Sequence, residues 1–403
     1  MTGGFIKKLS ILIVLVTFAF SWLGAAIVFP IFAPLFLGHT DTIFRSEIPE
    51  GIRAILFGVF LASFPLAQFL CAPVIGEYSD REGRKKAFIF TIFLECIGYL
   101  LSAAGVLWHH LSILFLGRFI TGLGAGNLSV CLATLADFSQ DEKTRVRYFG
   151  MGSAISGFMF VIGPFIGGRL SVFGLDFPLW VGAAFVFVNL VLITLFFRET
   201  LNKQEDVVVD PMQAIHNVQI AFQSKEIRGL YVVYFCFLFA WNMLYQFLPA
   251  VLVEAFDGTS GMIGNLSALM GVIWFAGTLI ITTIVNRTRQ GKWVEFGALI
   301  LFALMVSIIP FPQTLTPFVI ICAGAVFFAG GAWPILMGYL SKLADPSAQG
   351  KVFGMSQSVQ SLSMLLAPFL GGFFLQAHEK VPFIVAAIFA FIAAILLARI
   401  KKI

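Results

Sequence analysis

The chain has 403 residues, of which 59% are hydrophobic and only 12% are charged, and its mean hydropathy is +0.95. This composition excludes a soluble globular domain. It indicates membrane spans of about 20 residues each, enough to cross a hydrocarbon core of about 30 Å. The net charge of +5 indicates no nucleic-acid partner, because the basic residues are concentrated in alternate connections between apolar segments.

Twelve apolar segments follow one another along the chain. We predict that each forms a helix, because an open strand in lipid would leave its backbone groups unpaired. They lie at residues 9–37, 54–76, 87–106, 112–135, 149–170, 178–197, 229–253, 262–285, 293–310, 317–340, 351–375 and 382–399. The first follows Lys7 and Lys8 and is too long for a signal peptide, so we expect it to be retained as a span.

The connections between the spans alternate in charge. One alternate set, taken with the two chain ends, holds 21 of the 26 Lys and Arg residues, while the other set holds only four and Arg118 lies inside a span. The positive-inside rule therefore places both termini in the cytoplasm. We expect a multi-pass protein surrounded by lipid of the plasma membrane, which in a bacterium is the inner membrane.

The longest polar segment divides the spans six and six. We predict an N-terminal six-helix bundle over residues 1–197, a cytoplasmic linker over residues 198–228 and a C-terminal six-helix bundle over residues 229–403. Within the linker, residues 212–224 favour a short amphipathic helix on the inner surface.

An internal repeat supports this division. Residues 150–170 and 354–374 align without gaps at a spacing of 204 residues, and six positions are identical, among them Pro164 and Pro368. The alternative is chance agreement between two apolar helices, but a proline and paired glycines in register favour a duplication. Two homologous six-helix halves are typical of alternating-access transporters, whose substrate site lies between the halves near the midplane.

A charged segment, "GEYSDREGRKK" (76–86), connects spans two and three. Its residues Gly76, Asp80, Arg81, Gly83 and Arg84 resemble the signature loop of the major facilitator superfamily. The resemblance implies an all-α membrane protein with twelve transmembrane helices in two pseudo-symmetric six-helix bundles. It also implies a secondary transporter of small molecules rather than an enzyme.

Three further patterns resemble the drug:proton antiporter branch of this superfamily, which includes the tetracycline exporters. They are Arg118, Gly122 and Gly124 in span four; Gly150, Gly163, Pro164, Gly167 and Gly168 in span five, where Met159 replaces an expected glycine; and Leu23, Gly24 and Pro30 in span one. The resemblance implies proton-coupled export by a monomer, with the proton gradient as its driving force and no bound cofactor. Span one lacks the acid that some of these exporters carry.

The signature loop predicts a gate on the inner side. We expect the Asp80 carboxylate to meet the positive N-terminus of span eleven, near Gly350 and Lys351, when the inner side is closed. Arg81 and Arg84 would then pair with neighbouring acids, and the glycines would let helix ends approach closely. The alternative is that these charges only fix the topology.

Ionisable residues inside a membrane are costly and are functional by default. We expect Arg118 to bind substrate or to couple transport, the alternative being an arginine that reaches the outer interface or is held by backbone carbonyls. Glu95, the only acid well inside a span, is the expected proton carrier. Its alternative is a neutral carboxyl bonded to Thr91 or to a nearby helix, and Glu254 and Glu295, near span ends, are expected to be solvated.

A central cavity between the halves is expected to have polar and aromatic walls. The predicted lining residues are Trp22, Gln68, Trp241, Asn242, Tyr245, Gln246, Gln357 and Gln360. Such a lining suits an amphipathic organic molecule with an anionic group near Arg118. The alternative for each residue is packing between helices.

The sequence as a whole predicts a proton-coupled exporter of small organic molecules. One alternative is a transporter of the same fold for a particular metabolite or siderophore, working as a uniporter or symporter; another is a membrane receptor without transport. No residue cluster indicates a metal site, and the five cysteines, which all lie in apolar segments, are expected to be buried apolar side chains.

Overall fold

The computed structural model describes residues 2–39, 42–44, 48–139, 141–201, 212–223, 227–288, 290–343 and 349–400. Over these ranges the chain is helical and contains no β-strand. Twelve segments are long and apolar enough to cross a membrane, which confirms the predicted number of spans. An even number of spans places both chain ends on one side, which is called the inner side below.

The first six spans are built from eight helices. They are Thr2–Ile27 with Phe29–Leu37 (span one), Glu50–Glu82 (two), Arg84–Leu107 (three), Leu111–Gly124 with Asn127–Asp137 (four), Glu142–Leu170 (five) and Phe177–Phe196 (six). The last six are Arg228–Phe256 (seven), Ser260–Arg287 (eight), Gly291–Ile308 (nine), Leu315–Gly330 with Ala332–Leu343 (ten), Gln349–Ala377 (eleven) and Val381–Arg399 (twelve). The helix expected in the linker is present at Gln213–Gln223, whereas residues 202–211 and 224–226 lie outside the described ranges.

Three spans are broken near the middle, and the sequence accounts for each break. Span one restarts at Phe29, with Pro30 in the first turn, where a missing backbone N–H costs no helical hydrogen bond. Span four breaks before Asn127 at Gly126, and span ten breaks at Gly331. Interrupted helices of this kind carry the binding sites of many transporters.

The two halves repeat the same helix packing. In the first six spans, one packs against five and six, three against four and six, and two against four. In the last six, seven packs against eleven and twelve, nine against ten and twelve, and eight against ten. The neighbours therefore correspond one to one, and the prediction of two pseudo-symmetric six-helix bundles is confirmed.

Large apolar side chains cover the outside of the bundles. Phe187, Phe275 and Ile320 are each more than half exposed. Exposed apolar surface on this scale is a liability in water and is the expected surface against lipid tails.

Candidate functional site

The two halves touch through glycines near their outer ends. A Cβ atom on Gly58 of span two would lie 2.6 Å from the carbonyl oxygen of Pro368 in span eleven. A Cβ atom on Gly168 of span five would lie 2.6 Å from the carbonyl oxygen of Ser260 in span eight. Because no side chain fits at either position, helix backbones lie in direct contact and the outer side is closed.

The inner ends of the same helices are apart. A Cβ atom on Gly76, Gly150 or Gly354 would have no neighbouring atom within 4 Å. Each of these glycines lies 18 residues from a contact glycine on its own helix, which is about 27 Å along a helix. The close approach predicted for Gly76 is therefore absent from this conformation. In the inner part of span five the exposed residues Phe149, Gly150, Met151, Ser153 and Ala154 cover most sides of the helix, so the side that faces the other half is open as well.

An aromatic cluster closes the cavity towards the outer side and joins the two halves. Tyr245 of span seven stacks on Phe29 of span one, with 4.6 Å between the ring centroids, and lies 5.0 Å from Phe160 of span five. Trp241 continues the cluster at 5.7 Å from Tyr245 and 4.2 Å from Trp274 of span eight. We call these five residues the aromatic layer; stacked and tilted rings of this kind attract one another at these distances.

The other predicted lining residues divide into two groups. Trp22, Gln68, Gln246 and Gln357 keep exposed surface, and the indole Nε1 of Trp22 is buried without a hydrogen-bond partner in the described part of the chain. Asn242 is only 8% exposed and donates to Leu238 O and to Ser363 Oγ, at 2.9 and 3.0 Å.

The contacts of Asn242 hold span seven against span eleven, so helix packing, the alternative considered for each lining residue, describes its position. Gln360 is also engaged with span seven, because its Oε1 accepts a 3.4 Å hydrogen bond from the hydroxyl of Tyr234. Both residues thus contribute contacts within the C-terminal bundle.

Arg118 in span four lies close to two aromatic rings. Its guanidinium carbon is 4.5 Å from the ring centroid of Phe64 and 4.9 Å from that of Phe32. Its Nε is buried without a partner, and no carboxylate among the described residues pairs with it. The cation is held by cation–π contacts and has no counter-charge from the protein.

Glu95 in span three lies inside the N-terminal bundle and is 5% exposed. Its Oε2 accepts a 3.0 Å hydrogen bond from Nδ2 of Asn127, which also donates to Ser21 Oγ at 2.8 Å. Asn127 is the first residue after the break in span four, and its Oδ1 has no described partner. The carboxyl therefore connects spans three, four and one through an amide at a helix break.

The signature loop is held by a buried arginine. Arg84 is 6% exposed and forms ion pairs with Asp80 at 2.5 Å and with Asp137, at the inner end of span four, at 2.9 Å. By contrast, Arg81 is 56% exposed and lies 3.7 Å from Glu82. In this open conformation Asp80 is paired within its own loop. Its predicted docking site lies near Gly350 and Lys351, and the side chain of Lys351 is outside the described part of the structure.

Glu199, just after span six, binds the start of span three. Its two oxygens accept 3.0 Å hydrogen bonds from the backbone N–H groups of Arg84 and Lys85, which have no partner within the helix. Burial opposes ionisation, but hydrogen bonds from the backbone N–H groups of Leu201, Lys85, Thr200 and Arg84 outweigh it and lower the pKa of Glu199. Gly83 has φ 104°, and a side chain there would collide with Glu199.

The motif in span five holds that helix against span one and span eight. A Cβ atom on Gly163 would meet the methyl group of Ala26, and one on Gly167 would meet the carbonyl oxygen of Ile27. The carbonyl of Pro164 faces Gly264 of span eight. The outer part of the motif is therefore a contact surface, whereas Gly150 at its inner end faces open space.

One acid is placed differently from its prediction. Glu295 is fully buried near the inner end of span nine, and neither carboxylate oxygen has a described partner, so the expectation that it is solvated is wrong. Glu254 is exposed, as predicted. The five cysteines are free, and four of them are buried. Within the described residues no group of three His, Cys, Asp or Glu side chains could hold a metal ion.

Two pseudo-symmetric six-helix bundles that touch at one end and part at the other are the architecture typical of alternating-access transporters. The sequence profile of the Major Facilitator Superfamily matches residues 11–327 and 230–402. The chain belongs to this superfamily, and the resemblance of its signature loop is confirmed.

Relatives and solved structures agree with this assignment. The chain is 28% identical to tetracycline resistance protein class H of Pasteurella multocida over 375 residues, covering 90% of this chain and 88% of the relative. It is 24% identical to multidrug resistance protein 2 of Bacillus subtilis (strain 168) over 344 residues, covering 82% of each.

Among solved structures, a bacterial homologue of the iron transporter ferroportin in an inward-facing state has a TM-score of 0.74 at 15% identity and 99% coverage of both chains. The human organic anion transporter MFSD10 has a TM-score of 0.70 at 20% identity, covering 97% of this chain and 99% of its own. At these identities the likeness establishes the fold alone.

Proposed function

We propose that this protein exports small organic molecules from the cytoplasm in exchange for protons. The tetracycline and multidrug resistance proteins among its relatives support export of such molecules. The inner-side opening of the cavity supports uptake of the cargo from the cytoplasm. We further propose that the protein is a monomer in the inner membrane of a bacterium, with both termini in the cytoplasm.

The hydrogen bond between Glu95 and Asn127 carries the proposal of proton coupling. A buried carboxylate without a cation is stabilised only by the donors that reach it, and here the donor is one amide. When Glu95 takes up a proton, its carboxyl group becomes a hydrogen-bond donor as well. If the side-chain amide of Asn127 then rotates by about half a turn, its free Oδ1 accepts a hydrogen bond from that carboxyl group. Proton binding would thus rearrange the contact at the break in span four.

Span four connects that rearrangement to the cavity. Span four carries both the break at Asn127 and, nine residues before it, Arg118. A change in the bend of span four would therefore move the guanidinium relative to the rings of Phe32 and Phe64. In this proposal the proton acts at Glu95, the cargo binds near Arg118, and the broken helix links them.

The test uses inverted membrane vesicles from cells that express the chain. The vesicles are incubated with tetracycline, fluorescein or rhodamine 123 in the medium, with and without an imposed proton gradient. The proposal expects gradient-stimulated accumulation of at least one compound, abolished by Glu95→Gln but not by the exposed-acid control Glu254→Gln. Glu95→Gln should still allow downhill movement. Full gradient-driven accumulation by Glu95→Gln would contradict coupling at this residue, and movement of a single metabolite without gradient dependence would favour the uniporter.

A further inference from the structure

We infer that the cargo of this transporter is an organic anion whose charged group binds Arg118 and whose ring system lies against the aromatic walls of the cavity. The inference rests on the proposed transport of small organic molecules and names their charge.

The arrangement around Arg118 leaves its binding edge free. The rings of Phe32 and Phe64 lie within 5 Å of the guanidinium carbon, while no hydrogen bond or ion pair joins its nitrogens to any described residue. Arg118 as a whole keeps partial exposure. Nε is buried, but the two terminal nitrogens are not among the buried unpaired atoms. Their N–H groups are therefore the part of the guanidinium open to a ligand, and such groups match a carboxylate or sulfonate with two parallel hydrogen bonds.

The charge of Arg118 is permanent, because a guanidinium does not release its proton in a protein. A desolvated charge without a partner is unfavourable, and the cost is removed only by an opposite charge. Glu95, the one acid well inside the membrane, is bonded to Asn127 instead. The guanidinium therefore lacks a counter-charge, and an anionic cargo would supply it.

The charges of spans one, four, seven and ten favour the same sign of cargo. Across residues 9–37, 112–135, 229–253 and 317–340, which include the three broken spans, Arg118 is the only Asp, Glu, Lys or Arg residue. A cationic cargo would meet an uncompensated positive charge in this region, and a neutral cargo would leave Arg118 unpaired. An anion is the one class whose entry makes the site neutral.

The aromatic residues in the walls of the cavity indicate the chemistry of the uncharged part of the cargo. Trp22, Trp241 and Tyr245 keep partial exposure. Flat aromatic molecules pack well against such rings. The expected class is an aromatic carboxylate or sulfonate of drug-like size.

The experiment compares two dyes with one ring system and opposite charge. Binding of fluorescein, an anionic xanthene, and rhodamine 123, a cationic xanthene, is measured by fluorescence polarisation on the purified full chain in lipid nanodiscs, without any gradient. We expect fluorescein to bind at least about tenfold more tightly than rhodamine 123. Arg118→Gln should weaken fluorescein binding by about tenfold to a hundredfold, the range for loss of a charge-assisted pair, and Arg118→Lys by less.

Equal or tighter binding of rhodamine 123, no binding of fluorescein, or fluorescein binding that survives Arg118→Gln would overturn the inference. A melting curve checks that each variant is folded; if Arg118→Gln is not, the comparison of the dyes on the native chain and on Arg118→Lys decides. Because binding is measured without a gradient, anion binding without proton-driven transport would reject only the proposed function. Proton-driven transport of rhodamine 123 alone would reject only the anion selectivity.

Discussion

Gly58 of span two and Gly372 of span eleven meet backbone to backbone across the interface between the two halves. The duplication supplies the matching pair, since Gly168 lies 204 residues before Gly372 and packs against Gly264 of span eight. Two glycine contacts related by pseudo-symmetry thus close the outer side, and they form the contact about which the halves can rock.

Adding a methyl group at this contact should open it. In Gly58→Ala the new Cβ would lie 2.5 Å from the Cα of Gly372, and overpacking of this kind costs about 1–3 kcal/mol. We expect the outer side to open several-fold more often and transport to slow, as measured by spin-label distances between the outer ends of spans two and eleven. In the control Gly297→Ala the added methyl group faces open space, so neither the outer-side distances nor the transport rate should change. Equal effects of the two substitutions would contradict the role of the Gly58 contact in closing the outer side.

The two arginines of the signature loop should contribute differently to the free energy of unfolding. Arg84→Gln breaks the pairs that the buried guanidinium forms with the partly exposed carboxylates of Asp80 and Asp137. Loss of charge-assisted hydrogen bonds of this kind costs about 1.5–3 kcal/mol of unfolding free energy. Arg81→Gln removes an exposed pair worth about 0–1 kcal/mol. Thermal unfolding of the detergent-purified variants measures both, and a melting temperature of Arg84→Gln that equals that of Arg81→Gln would show that the Arg84 pairs do not hold the loop.

Glu199 should stabilise the protein in a pH-dependent way. A carboxyl whose pKa is lower in the folded state stabilises that state above its unfolded pKa, here near 4.5, and the contribution disappears as the pH falls through the folded pKa. Glu199→Gln should therefore cost about 0.3–1 kcal/mol at neutral pH, typical of a charge at a helix N-terminus. The difference from the native chain should shrink as the pH falls below about 4.5 and through the lower folded pKa, whereas a constant difference would argue against charge as the cause.

The chain contains its own control for the role of Asn127. Both Asn127 and Asn265 stand in Asn-Leu-Ser, but Asn127 is fully buried and bonded to Glu95 and Ser21, while Asn265 is exposed. Asn127→Leu leaves two buried oxygens without a donor and should lower the unfolding free energy by about 1–3 kcal/mol. Asn265→Leu should change it by less than about 0.5 kcal/mol. Similar melting temperatures for the two variants would contradict the proposed network.

The spans, the repeat and the signature loop could be predicted because each is a local pattern. Hydropathy marks a span without reference to its neighbours, and the repeat revealed the duplicated glycines. The partners of Arg84 could not be predicted in the same way. Asp137 and Glu199 are 53 and 115 residues away from it along the chain, and each looks like an ordinary polar residue at a helix end.

Other features could not be predicted because they depend on packing between helices that are distant in the sequence. Phe29, Phe160 and Trp274 of the aromatic layer could not be singled out among 47 phenylalanines and seven tryptophans. Asn127 was not singled out from the sequence, although an amide at a glycine-rich break is itself a signal. The burial of Glu295 depends on how span nine packs with its neighbours, which its position near a span end does not reveal.

We predict that transport requires the inner ends of the halves to close. The most direct measurement uses Gly76→Cys with Gly354→Cys in a chain whose five native cysteines are replaced by serine, because both glycines lie 18 residues inward from the contact of Gly58 with Gly372. A disulfide between the two positions should form during turnover, stop transport completely and release it on reduction, while each single substitution stays active. Undiminished transport by the crosslinked protein would contradict the account.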